Sequence, residues 1–117
     1  MSERKTVFLL EDIAEAIQNI FDFTKGLTIE TYSADIKTRH AVEHNFMIIG
    51  EAVSRMNEEY KQRHNNSINW RQVKNSRNVI VRDYFGIDNS IVWNIIRFNL
   101  PDLSQQISLL LQQERDP

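Results

Sequence analysis

Cysteine is absent from this chain, and there are only three glycines and two prolines. The first absence excludes disulfide scaffolds, thiolate zinc sites and cysteine nucleophiles. The scarcity of glycine and proline argues against a sheet-rich fold, whose tight turns draw on those residues. Long apolar stretches are missing too. The longest run, Phe46 to Gly50, has five residues, against the roughly 18 needed to cross a bilayer. The segment Met1-Ser2-Glu3-Arg4-Lys5 has none of the apolar character of a secretory signal. A cytoplasmic protein without a membrane partner is expected.

One further absence is local. No acidic residue lies between Tyr60 and Arg82, a window that holds Lys61, Arg63, Arg71, Lys74, Arg77 and Arg82. The rest of the chain carries eight basic residues against 16 acidic ones. A basic segment on an acidic body can take one polyanion locally while the body repels others. A solvated helix face with loop lysines would give the same pattern.

What is present suits one helical domain. The chain has 117 residues, 41% of them hydrophobic and 26% charged, enough to bury a core without staples. Residues 1–117 are read as a single domain. Leu9, Ile13, Ile17, Ile20 and Thr24 recur at three- and four-residue steps, predicting a first helix from about Lys5 to Lys25. Gly26 is placed to stop it, and a short connection over Leu27 to Tyr32 follows. A second helix is expected from about Ser33 to Arg63, on the seam Val42, Phe46, Ile49, Val53, Met56 and Tyr60. Ala41, Ile48 and Ala52 widen that seam. Gly50 sits in its middle, where glycine costs about 1 kcal/mol relative to alanine and marks close approach of another backbone.

Asn69 is a suitable N-cap for a third helix from Trp70 to about Tyr84, before Gly86. Asp88 or Ser90 can cap a fourth, carrying Ile91, Val92, Ile95 and Ile96. Pro101 is expected to kink or end it. A last helix places Leu103, Ile107, Leu110 and Leu111 inward. The fold class expected is all-α, an up-and-down bundle of four to five helices.

The third helix holds the candidate chemistry. Arg77 and Tyr84 are seven residues apart, which turns about 700° and leaves them nearly in line. Trp70, Val73 and Ile80 lie near the same line, so Arg77 falls within an apolar stripe. A guanidinium there needs a carboxylate, a partner chain or a ligand phosphate. Glu51, next to Gly50, is a candidate partner, and a buried Arg77–Glu51 pair would be a purely structural answer. Arg82 lies about 140° around the helix from Arg77. The two can converge on one phosphate if the helix end is distorted, or two copies of the helix can meet across a two-fold axis.

His40 and His44 have an i, i+4 spacing that can grip a metal, but nothing completes such a site, so solvated or packing roles and no metal are expected. His64 is expected to be exposed in a polar turn. No phosphate-cradling glycine loop exists, and no cofactor is expected.

Several blocks together resemble a known family. They are Ile49-Gly50-Glu51-Ala52, Trp70, Arg77-Asn78 through Tyr84, Val92-Trp93, Ile95-Ile96 and Leu100-Pro101-Asp102-Leu103. In order and spacing the chain, from about Phe8 to Leu111, is similar to the HepT-type proteins of the HEPN superfamily. Those are toxins of bacterial and archaeal HEPN/MNT toxin–antitoxin pairs. The resemblance implies a dimerising helical bundle, a metal-independent ribonuclease activity on an RNA such as tRNA or mRNA, and a nucleotidyltransferase antitoxin as partner. That antitoxin uses ATP and Mg²⁺ to add AMP to the motif tyrosine, here Tyr84.

The family hallmark is an arginine, four to six residues, a histidine, and a tyrosine two positions later. Arg77, Asn78 and Tyr84 match, but Arg82 occupies the histidine position. Arginine stays protonated, with a pKa above about 12, and cannot take the proton-transfer role of histidine. The resemblance therefore implies severely weakened cleavage with RNA affinity that survives or increases. Arg77 would stabilise charge at phosphorus, Asn78 would orient the substrate, and Arg71, Lys74 and Arg97 are candidate backbone-phosphate contacts. A non-catalytic helical dimer that binds RNA or a partner protein is the alternative reading.

Overall fold

The computed structural model describes residues 5–84 and 88–116, with side chains over 5–78 and 88–116. The chain forms α1 (Thr6–Thr24), α2 (Ile29–Ala34), α3 (Ile36–Arg55), α4 (Glu58–Arg63), α5 (Trp70–Tyr84), α6 (Asn89–Asn94), a π turn (Ile95–Asn99) and α7 (Leu100–Arg115). No strand occurs among the described residues. The rods α1, α3, α5 and the composite α6–π–α7 make the all-α bundle that the apolar periods predict. It measures 44 × 26 × 26 Å.

Each rod is one-sided. Leu9, Leu10, Ile13, Ala16, Ile17 and Ile20 bury one face of α1. Thr24 donates its hydroxyl to the Ile20 carbonyl at 2.8 Å, and Gly26, at φ +78°, turns the chain away. Val42, Phe46, Ile49 and Val53 are buried along α3. The α1–α3 contact has one polar pin inside it. Asn45 donates to the Ala41 carbonyl at 2.8 Å and accepts from Asn19 at 3.2 Å. Because a buried amide must be satisfied, this pin fixes how the two helices align.

Two elements differ from the sequence pattern. The expected helix over Ser33 to Arg63 is two helices and part of another. Asp35 caps α3, accepting from the Thr38 N–H and hydroxyl at 3.1 and 2.7 Å. At the far end Met56 is extended, and Asn57 caps α4 by accepting from the N–H groups of Glu59 and Tyr60. Met56 and Tyr60 remain buried, so the apolar seam continues across a break in the backbone. Pro101 neither ends the last rod nor stands alone as a kink. It lies in the first turn of α7, directly after a π turn whose Leu100 N–H reaches back five residues to the Ile95 carbonyl. Proline is tolerated at that position because first-turn N–H groups lack intrahelical partners in any case.

The third helix stands on α3. Asn69 caps α5 by accepting from the Gln72 N–H at 3.0 Å. A methyl group placed on Gly50 would lie 3.4 Å from Arg77 Cβ and 3.5 Å from the Lys74 carbonyl oxygen. Gly50 is thus the point where the α5 backbone approaches α3, as its mid-helix position predicts.

Candidate nucleic-acid interface

Arg77 is not buried in an apolar stripe. Trp70, two turns earlier, is 6% exposed, whereas the Arg77 side chain is 48% exposed. It lies against Gly50, and it lines a pocket together with residues of α1 and α3. Its Nη1 stands 3.9 Å from Glu51 Oε2, too long for a hydrogen bond. The Glu51 carboxylate is held instead by its own helix, accepting from Arg55 Nε at 3.2 Å through Oε1. Half-exposed pairs of this kind contribute little to stability, so the purely structural role weighed for Arg77–Glu51 does not explain the arginine.

These groups border an open pocket of about 350 Å³. Leu9 and Asp12 of α1, Met47, Glu51 and Arg55 of α3, and Arg77 of α5 line it. Three helices therefore contribute one charged group or more each. Leu9 and Met47, with Ile48 and Ala52, give it an apolar wall beside two guanidiniums. Sequence reasoning named Arg77 and Glu51 but missed Arg55, whose only signal was an i, i+4 spacing from Glu51.

The remaining site candidates divide. Arg71, Lys74 and Asn78 are exposed on α5. Arg97 is exposed on the π turn and lies over the Trp93 ring at 6.0 Å; it does not line the Arg77 pocket. Arg82 and Tyr84 belong to α5, but their side chains lie outside the described residues. The basic segment is not one patch. Lys61 donates to the Val53 carbonyl at 3.1 Å and pairs with Glu58 at 3.0 Å, closing the end of α3. Arg63 lies over the Tyr60 ring.

The three histidines differ in exposure. His40 and His44 are exposed, and no metal-capable cluster occurs among the described residues. His64 is not a free turn residue: it is half-buried, its ring 4.4 Å from Tyr60. Tyr60 itself is buried, and neither its hydroxyl nor the Trp70 indole N–H has a hydrogen-bond partner among the described residues. Burial chiefly, with the negative charge of Glu114, pushes the Tyr60 hydroxyl up to about 12. A larger cavity of about 390 Å³ opens between α5 and α7 above Phe46 and Ile49, and none of the described site candidates lines it.

A half-exposed arginine over an open pocket thus stands on a small all-α bundle. The chain belongs to the Ribonuclease HepT-like family, which it matches over residues 13–110. It is 36% identical over 101 residues to the probable ribonuclease HepT of Thermococcus cleftensis, covering 86% of this chain and 91% of that one. A protein of Caldanaerobacter subterraneus subsp. tengcongensis, named as a candidate RNase, is 28% identical over 106 residues, covering 91% and 94% of the two chains. A candidate RNase of Methanocaldococcus jannaschii is 28% identical over 110 residues, covering 94% and 100%. No solved structure is a significant match. No helix among the described residues is long and apolar enough to cross a membrane.

Proposed function

We propose that the chain, as a single HEPN-type domain, is the toxin component of a HEPN/MNT toxin–antitoxin pair. Its site is built for metal-independent RNA cleavage and weakened at Arg82. The observation that carries this reading is the Arg77 guanidinium, half-exposed over an open pocket and with no carboxylate hydrogen-bonded to it among the described residues, in a chain of a ribonuclease family. Arg77 grips the scissile phosphate and stabilises the charge that develops on it. Asn78, one residue on, orients the ribose–phosphate junction. Arg71, Lys74 and Arg97 hold flanking phosphates.

The second half of the site comes from a second copy. Helix α5 runs as an α-helix to Tyr84, so Arg77 and Arg82 stay about 140° apart within one chain. Two α5 helices meeting across a two-fold axis bring the motif of one chain beside that of the other. Tyr84 accepts AMP from the nucleotidyltransferase antitoxin. The added phosphate charge and bulk beside the motif compete with RNA. Intact mass after incubation with that partner, ATP and Mg²⁺ reads this directly, and no gain of AMP on Tyr84 removes the regulatory role.

Cleavage of RNA by the native chain and by Arg82→His tests the whole reading. Restored cleavage and host-cell toxicity support it; no change in either removes the site assignment. A non-catalytic RNA-binding dimer is the second reading. It is favoured by the one residue, Arg82, that holds phosphate well and moves protons poorly.

A further inference from the structure

Two guanidiniums, not one, face the pocket. Arg55 and Arg77 come from different helices, and Glu51 lies between them, one oxygen toward each. Arg55 commits only Nε to the carboxylate, at 3.2 Å. Arg77 commits no hydrogen bond to it, at 3.9 Å. Two like charges converging on one point need an anion there, and in the free chain the anion is Glu51. Asp12 on the α1 wall brings the pocket to two carboxylates against two arginines. Beside this polar side stand Met47, which is 41% exposed, and half-buried Ile48. A phosphate-sized group with an adjoining apolar or aromatic body fits such a wall.

The geometry points to a one-nucleotide subsite in which Arg55 is the second phosphate-binding residue, with the ribose or base lying against Met47 and Ile48. Glu51 is the internal counter-anion that keeps the two arginines together until a phosphodiester takes its place. This inference rests on the reading of Arg77 as a phosphate-gripping residue. It adds a residue that neither the motif nor the basic window contains. Arginine suits the task because its fork can bond the carboxylate and a phosphate oxygen through different nitrogens.

The probe is a short single-stranded 2′-O-methyl RNA, which cannot be cleaved, titrated against the full chain at several salt concentrations. Arg55→Ala should weaken binding about tenfold and flatten the salt slope by about 0.7, the loss of one single-strand phosphate contact. Arg63→Ala removes the same charge from a side chain packed on Tyr60 and should change affinity less than about twofold. Glu51→Gln should tighten binding several-fold, because the competing charge is gone while the shape is kept. Arg55 and Glu51 are exposed, and unchanged helical circular dichroism verifies the fold of each variant. If Arg77→Ala weakens binding but Arg55→Ala behaves like Arg63→Ala, the subsite proposal falls and the Arg77 reading stands. If Arg77→Ala has no effect either, both fall. Weaker binding by Glu51→Gln also overturns the counter-anion role.

Discussion

Arg77 lies across Gly50, its Cβ 3.4 Å and its Cδ 3.7 Å from where a methyl group on that glycine would sit. The glycine explains how an arginine on the inward line of α5 reaches solvent. A side chain larger than a methyl on α3 at that point would stand in the path of the arginine stem. With none there, the stem packs on the α3 backbone and the charged head emerges into the pocket beside Glu51, as long basic side chains do when their carbon chains are covered.

Substitutions at Gly50 should therefore separate stability from site geometry. The distances of 3.4 and 3.5 Å leave room for one methyl in ordinary contact. Gly50→Ala should raise stability by up to about 1 kcal/mol, the helix-propensity difference, with RNA binding retained. Gly50→Val adds two carbons beyond that methyl against α5 and should cost about 1–3 kcal/mol by overpacking, while displacing Arg77 and weakening RNA binding. Thermal denaturation and the same RNA titration check both. A destabilised Gly50→Ala would mean that α3 and α5 lie closer than these distances.

The buried hydroxyl of Tyr60, which has no hydrogen-bond partner among the described residues, gives a second test. A buried polar group without a partner costs about 1–3 kcal/mol, so Tyr60→Phe should raise the melting temperature. The sign of the pH dependence follows from the raised pKa. The folded chain keeps its phenol proton up to about 12 while the unfolded chain loses it at about 10. Folding stability from this group is thus complete below about 10 and falls as pH rises toward about 12. Tyr60→Phe should lose that alkaline decline, read by chemical denaturation at neutral and alkaline pH.

At acid pH the caps matter instead. Hydrogen bonds from Thr38 to Asp35, and from Ser90 to Asp88, hold both carboxylates below 3.8. Their contribution is complete above that value and is lost as pH falls through the lowered pKa. Asp35→Asn and Asp88→Asn should blunt this acid sensitivity. Hydrogen exchange at the first turns of α3 and α6 reports it locally, and equal acid fraying in native chain and variants would refute it.

How much of this was legible depends on what each residue type reports. The apolar seam Val42 to Tyr60 located the core correctly but not the break at Met56. A period counts side chains that reach the interior, and α3 and α4 share one interior across their junction. Asn69 and Asp88 were readable as caps because no strong apolar seam overran them. Asp35 and Asn57 lie inside or beside such a seam, whose period hides the breaks they cap. Pro101 announced a missing N–H but not the π turn that accommodates it. Gly50 announced a close approach and α5 provided it. Arg77 announced a charge among apolar neighbours, yet its exit to solvent depends on where the Gly50 gap falls, which requires three dimensions. Arg55 was illegible because Glu–Arg pairs four apart are ordinary on helix surfaces.

The pH profile of cleavage should distinguish chemistry from affinity at residue 82. An arginine stays charged throughout the neutral range, so the native chain should show residual cleavage with little dependence between about pH 5.5 and pH 8. A histidine titrates near 6.5. Arg82→His should gain about 10²–10⁴ in rate and acquire a pH dependence centred near its own pKa. Its RNA affinity should fall as the charge titrates away, so rate and affinity move in opposite directions with rising pH. Single-turnover cleavage and binding measured on the same RNA resolve the two. A gain in rate that merely tracks affinity would place residue 82 in substrate binding alone and leave the proton transfer to another group.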